Sequence, residues 1–260
     1  MKLLFIGDVF GRPGRRTVSG LLPALRAELT PDLVVANGEN AASGVGITAD
    51  TAGELFSAGV DVITGGNHIW DKPEGIPFVE RESRIVRPLN YPPGTPGRGV
   101  GVFRAGDESV AVISVLGRIF MQPFDCPFRA LDSALEGLRG VTANILVDVH
   151  AEATAEKVGL GWHLDGRVSA VLGTHTHVQT ADEQILPHGT AYLTDAGMTG
   201  PHESVIGVRR ELALKRMLAQ MPVRYQPAEG DLQLHGALVE IDSASGRAVR
   251  IERIARKLAG

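Results

Sequence analysis

Short, largely apolar runs recur along this chain, and five of them stop at side chains able to hold a cation: Asp8 after LLFIG, Glu39 and Asn40 after LVVANG, Asn67 and His68 after VITGG, His150 after ILVDV, and His175 with His177 after AVLGT. Runs of this length without regular polar alternation suit strands buried on both faces, the habit of parallel sheets covered by helices. In an open α/β sheet the carboxyl ends of the strands line a shared crevice, so residues distant in sequence converge there. The pattern constrains fold and function together: it predicts an α/β chain with one metal centre at its strand ends.

The segments between the runs carry helical spacing. Residues 2–7 form a strand pattern, the Gly11-Arg12-Pro13-Gly14 sequence reads as a turn, and Val18, Leu21, Leu22, Leu25 and Leu29 mark a helix that Pro31 closes. A strand over 33–36, a helix over 48–58 with Thr48 as its N-cap, and a strand over 60–64 complete a βαβαβ unit. The proline-rich stretch 88–99 reads as a loop before two antiparallel strands at 99–103 and 110–115. Further strands at 143–149 and 168–172 flank a helix over about 151–158, and 234–241 and 248–254 form a hairpin around 242–246. The expectation is a pair of mixed sheets covered by helices on both outer faces.

With 260 residues and 43% hydrophobic content, the chain has enough apolar material for one domain spanning 1–260. A formal charge of −4 provides no general field for a polyanion, which argues against stable nucleic-acid binding but not against a small anionic substrate. Cys126 is the only cysteine, so intrachain disulfides and thiolate metal sites are excluded. The single cysteine suits a cytoplasmic location; the apolar run near Met1 is too short for a signal peptide, and no stretch approaches the roughly 18 apolar residues of a membrane span. Homo-oligomerisation is left open.

Asp8, Glu39, Asn40, Asn67, His150, His175 and His177 offer oxygen and nitrogen donors without sulfur, a set that suits Mn, Fe, Zn, Co or Ni better than Ca or Mg. Seven such ligands exceed what one first-row ion takes and fit two divalent ions that share a carboxylate. His175 and His177 sit in a strand-terminal turn, where imidazoles two positions apart can each grip one ion. Two ions about 3.5–4 Å apart acidify a bridging water and hold the attacking and leaving oxygens of an in-line displacement, which predicts phosphoester hydrolysis. His68, beside Asn67 but outside the ligand set, is suited to protonate the leaving oxygen. His163, His188, His202 and His235 have no comparable context and read as structural or surface residues.

These residues resemble the calcineurin-like metallophosphoesterases, whose motifs run D-x-H, GD-x-x-D-R-G, GNH-D/E, a later His and GHTH. The counterparts here are Asp8-Val9-Phe10, Gly38-Glu39-Asn40, Gly66-Asn67-His68, His150 and Gly173-Thr174-His175-Thr176-His177. Phe10 replaces the usual His, Glu39 the bridging Asp, and His68 is followed by Ile69-Trp70-Asp71. GDVFG, NGENAA, GGNHIWD, GTHTHVQT and DAGMTGPHESVIG are similar to the YmdB-like branch of that superfamily. The resemblance implies a four-layer α/β/β/α sandwich and a phosphodiesterase for small phosphodiesters or nucleotides, with 2',3'-cyclic AMP foremost. It assigns Asp8, Glu39, Asn40 and His177 to one metal and Glu39, Asn67, His150 and His175 to the other. Glu39 bridges, Asn40 fills the position that Phe10 vacates, and iron or manganese is favoured over zinc.

Four residues read two ways. Asp71 either orients His68 or starts a helix; Asp148 either supports His150 or ends a strand in solvent; Arg12 and Arg15 either meet a phosphate or decorate a helix start. The glycine-bearing stretch 197–207 is a candidate wall of the site. The rival functions are a metal- and nucleotide-binding regulator without turnover, supported by the loss of His at Phe10, and an amidohydrolase, opposed by the late position of the only His-x-His.

Overall fold

A computed structural model describes residues 1–259. Along the chain run β1 (Lys2–Ile6), β2 (Asp8–Val9), α1 (Gly11–Leu29), β3 (Leu33–Asn37), α2 (Ala49–Ala58), β4 (Val62–Thr64), α3 (Ile76–Arg81) and β5 (Ile85–Val86). They are followed by β6 (Val100–Ala105), β7 (Glu108–Leu116), α4 (Pro127–Leu138), β8 (Ile145–His150), α5 (Thr154–Leu164), β9 (Ala170–Thr174), β10 (Gln184–Ile185) and β11 (Ala191–Leu193). The chain ends with β12 (Met198–Pro201), α6 (Arg210–Ala219), β13 (Leu232–Asp242) and β14 (Arg247–Lys257).

Two mixed sheets result, one ordered β2-β12-β13-β1-β3-β4-β5 with β14 paired to β13, the other β10-β11-β9-β8-β7-β6. In the first, β1, β3, β4 and β5 are parallel and β13 antiparallel; in the second, β7, β8, β9 and β11 are parallel. Strand periodicity sorts the side chains. Leu3 and Phe5 of β1 join Leu33, Val35, Val112, Leu146 and Leu172 in a core between the sheets. Leu4 and Ile6, one position over, pack under Val18, Leu22, Leu25 and Leu55 of α1 and α2. Ile145, Val147 and Val149 of β8 face Leu131, Leu135, Leu160 and Leu164 of α4 and α5. The expected four-layer α/β/β/α sandwich is present.

Local details differ from the sequence reading. The Gly11–Gly14 stretch is the first turn of α1 rather than a separate turn: Gly11 enters with φ 59°, and Pro13 sits where helical N–H groups have no partner anyway. Thr48 does cap α2, in a reciprocal pair with Thr51. Val60 precedes β4, and the helix expected from about residue 151 begins at Thr154 and runs on to Leu164. The helices α3, α4 and α6 and the short β2, β5, β10, β11 and β12 have no counterpart among the elements expected from the sequence.

Candidate metal centre

All seven expected ligands meet at the carboxyl ends of β1, β3, β4, β8 and β9. His150 Nε2 lies 3.1 Å from Glu39 Oε1, 3.0 Å from Asn67 Oδ1 and 3.0 Å from His175 Nδ1. On the other side of Glu39, Asn40 Nδ2 lies 3.0 Å from Oε1 and 3.3 Å from His177 Nε2, which is 3.7 Å from Asp8 Oδ1. Donor atoms held about 2.0–2.2 Å from one first-row ion stand about 3 Å from each other, so these distances fit a shared cation as well as the hydrogen bonds drawn between them. A half-turn of the Asn40 amide would bring its oxygen to the same place.

Period-2 geometry explains how one strand reaches the site. Val147 and Val149 of β8 point to the helices, whereas Leu146, Asp148 and His150 point between the sheets. His175 and His177 lie just past β9 with φ of 92° and 64°. That left-handed backbone is costly for side chains with a Cβ and turns both rings toward the crevice. Glu39 follows β3 in a tight turn, its Oε2 accepting from the His68 backbone N–H at 2.8 Å.

The electrostatics are those of a site arranged around positive charge. Burial raises the Asp8 carboxyl, but the His177 and His150 imidazoles outweigh it and hold the group far below the usual carboxylate range. Glu39 is likewise lowered, burial being overcome by His150. His150, despite complete burial, is pushed up to about 9 by Glu39 and then Asp8, whereas burial and the neighbouring His150 push His175 down to about 4. Among the described residues Asp8 Oδ1 is buried without a hydrogen-bond partner. A buried carboxylate oxygen lacking a donor, beside imidazoles and amides and no thiolate, fits a bound cation. Glu39, His150 and His175 by themselves meet the spacing of a metal-holding cluster, and the site is one for divalent metal.

The ambiguous residues separate. His68 Nδ1 lies 2.7 Å from Asp71 Oδ2, so Asp71 orients that ring. Asp148 is not a solvated strand end: it is fully buried and accepts from Thr174 Oγ1, Thr64 Oγ1 and Asn37 Nδ2 at 2.7, 2.6 and 3.0 Å. Arg15 bonds Glu54 at 2.6 Å and the Ala41 carbonyl, which ties it to the loop behind Asn40 rather than to a phosphate. Arg12 is exposed on α1 and outside the cavity. Ile206, in the glycine-bearing stretch, lines the cavity and its carbonyl contacts His177 Nδ1 at 3.0 Å. Phe10 joins Met198, Val208 and Ala213 in an apolar cluster and meets the His177 ring edge-on at 5.7 Å. His163 and His188 pair with Asp132 and Asp165 away from the site, and His202 meets His235 with ring planes tilted by 52° and centroids 4.3 Å apart.

Sequence reasoning passed over several contributors. Lys157 and Asp195, both buried, form a 2.8 Å ion pair, and Asp195 Oδ2 accepts from the Thr176 backbone and hydroxyl between the two histidines. Glu152 Oε2 approaches His175 Nε2 at 3.2 Å. No local pattern marks these residues; a lysine amid the apolar positions of α5 was the nearest available signal. The site opens into a cavity of about 1010 Å³, to whose walls Lys72, Arg216, Arg224 and Tyr225 contribute.

Two mixed sheets face to face, with carboxylates, amides and imidazoles gathered at their strand ends around a cation site, define a metallophosphoesterase. A family model described as YmdB-like protein matches residues 4–254, and the chain belongs to that family. A Bacillus subtilis protein named 2',3'-cyclic-nucleotide 2'-phosphodiesterase is 48% identical over 254 residues, covering 98% of this chain and 96% of that protein. A crystal structure of a hypothetical protein from Thermus thermophilus superposes with a TM-score of 0.95 at 48% identity, with 100% of both chains covered. Another from Mycoplasma pneumoniae, called a novel phosphatase, gives 0.93 at 33% identity and covers 99% of this chain and 93% of that one.

Proposed function

We propose that this protein is a dinuclear-metal phosphodiesterase that opens small cyclic phosphodiesters, 2',3'-cyclic nucleotides such as 2',3'-cAMP foremost. Asp8, Glu39, Asn40 and His177 hold one divalent cation; Glu39, Asn67, His150 and His175 hold the other. The observation that carries the reading is the position of Glu39 Oε1, 3.0 Å from Asn40 on one side and 3.1 Å from His150 on the other, at the seam of two ligand sets. A Glu in the bridging place and an amide where an imidazole is usual favour iron or manganese over zinc. When bound, the two cations supply activated water and offset the charge of the phosphate.

The rest of the chemistry belongs to side chains. Lys72, Arg216 and Arg224 line the cavity and draw an anionic diester toward the centre. As the water oxygen adds to phosphorus, the bond to the 2'-oxygen breaks, and that oxygen takes its proton from His68. Asp71 engages Nδ1 of the ring, leaving Nε2 to meet the substrate. The B. subtilis relative's name supports the 2' direction of opening and a nucleotide substrate.

The test is protein stripped of metal, reloaded with Mn²⁺ or Fe²⁺ and assayed with bis-p-nitrophenyl phosphate and 2',3'-cAMP. Metal-dependent turnover with 3'-AMP as product is expected. His68→Ala should keep its metal and lose rate chiefly with poor leaving groups, whereas His175→Ala should lose metal and activity together. Metal-loaded protein that turns over no diester overturns the reading in favour of a metal- and nucleotide-binding regulator.

A further inference from the structure

Behind His150, away from the reacting side, lies a closed hydrogen-bond network whose proton directions are fixed. The Asn37 amide oxygen accepts from the Glu39 backbone N–H at 3.2 Å, so its nitrogen is the group facing Asp148 Oδ2, at 3.0 Å. Thr64 Oγ1 approaches the same oxygen at 2.6 Å, and Thr174 Oγ1 approaches Asp148 Oδ1 at 2.7 Å. A carboxylate only accepts, so both hydroxyl protons point at Asp148. Thr174 Oγ1 also lies 2.9 Å from His150 Nδ1. With its single proton committed, that hydroxyl can only accept from the ring, and Nδ1 must carry hydrogen.

The opposite tautomer leaves one of two costs in a fully buried place. Either the lone pairs of Nδ1 and Oγ1 face each other, or the hydroxyl turns and Asp148 Oδ1 loses its donor. The contact of Asn37 Nδ2 with Nδ1, at 3.4 Å, is too long to reverse that balance.

We propose that Asp148 and Thr174 form a positioning relay, carboxylate to hydroxyl to imidazole, that keeps the His150 proton on Nδ1 and presents Nε2 as the donor atom to metal. The proposal rests on the reading of His150 as a ligand. Neither residue touches substrate or cation; they act through His150. The parallel register that places His150 opposite Thr174 and Asp148 opposite Leu172 builds the relay from two neighbouring strand ends.

Two variants interrupt the relay differently. Thr174→Val removes the hydroxyl at nearly constant volume. Asp148→Asn reverses the direction: two of the three donors converge on Oδ2, so the amide oxygen settles there and the NH₂ faces Thr174, whose hydroxyl then donates to Nδ1. Zn²⁺ serves as a diamagnetic probe, with affinity measured by chelator competition and the ring read by ¹⁵N-histidine NMR of zinc-loaded protein. In the unaltered protein His150 should ligate through Nε2 and show a slowly exchanging Nδ1 proton. Zinc affinity should fall about 10–100-fold in both variants, the range found when such outer partners of a ligand are removed. Thr174→Ser should restore both the affinity and the Nδ1 resonance. Ligation through Nδ1 in the unaltered protein, or full affinity in Thr174→Val, overturns the relay while leaving the metal centre intact. An unaltered protein that binds no zinc overturns the metal-centre reading and the relay with it.

Discussion

The loop after β3 and the turn after β9 perform the same task, each presenting two polar side chains to the crevice, but different forces hold them. Glu39 and Asn40 rest on close backbone packing: the Gly11 N–H donates to the Asn40 carbonyl, Gly44 at φ 93° leaves room for the Phe10 ring, and Arg15, itself largely buried, reaches the Ala41 carbonyl while pairing with half-exposed Glu54. His175 and His177 rest on charge buried out of water, the Lys157–Asp195 pair gripping Thr176 between two left-handed residues. A surface-tied loop tolerates loss of a contact because water replaces it. A turn anchored on a buried ion pair does not, since whichever charge survives is stranded.

The largest expected effect lies in the turn. Lys157→Met should cost about 3–5 kcal/mol by leaving Asp195 uncompensated, seen in urea unfolding of metal-free protein, and should weaken metal binding through the loosened histidines. Equal stability of variant and parent would mean that the pair does not anchor the turn. Next comes the loop's packing: Gly44→Ala places a Cβ 2.9 Å from the Phe10 ring in a left-handed backbone, for about 1–2 kcal/mol, with a loss of metal affinity that titration of stripped protein should register. Smaller again, Arg15→Ala should cost about 1 kcal/mol or less, because Glu54 is half exposed and water screens the pair. A penalty as large as that of Lys157→Met would erase the contrast between the two regions.

A pH dependence lies behind the turn. His235 packs against Gly197, whose N–H donates to Asp195, and its Nδ1 is buried without a partner among the described residues. Burial and then the nearby His202 push this imidazole down to about 4. The unfolded chain binds the proton near 6.5 and the folded chain only near 4, so the stabilising contribution is complete above about pH 6.5 and is lost as pH falls toward 4. Thermal melts of metal-free protein between pH 7 and 4.5 should therefore slope less in His235→Gln. An unchanged slope would place the acid sensitivity elsewhere.

The contrast also marks where the sequence was legible. Helical spacing in α1, the Thr48 cap and the apolar strands were readable because each is a local property of a few neighbouring residues. α4 and α6 were passed over although α4 carries Leu131, Leu135 and Leu138 on one face, since that pattern lay in a region read as irregular. The ligand positions stood out because polar residues at strand ends have few packing reasons to be there. Lys157 and Asp195 did not, because a buried ion pair announces itself only when its partners are seen together.

By itself, then, the sequence determined the strand runs, their polar ends and the donor chemistry gathered there, all consequences of local hydrophobic period and residue type. The tertiary structure alone decided what supports those donors. Asp148 reads equally as a solvated strand end or as the acceptor for three buried donors, and only the packing of β3, β4 and β9 around it makes it the latter. The direction of a hydrogen bond depends on every partner a group has, and those partners come from strands far apart in the chain.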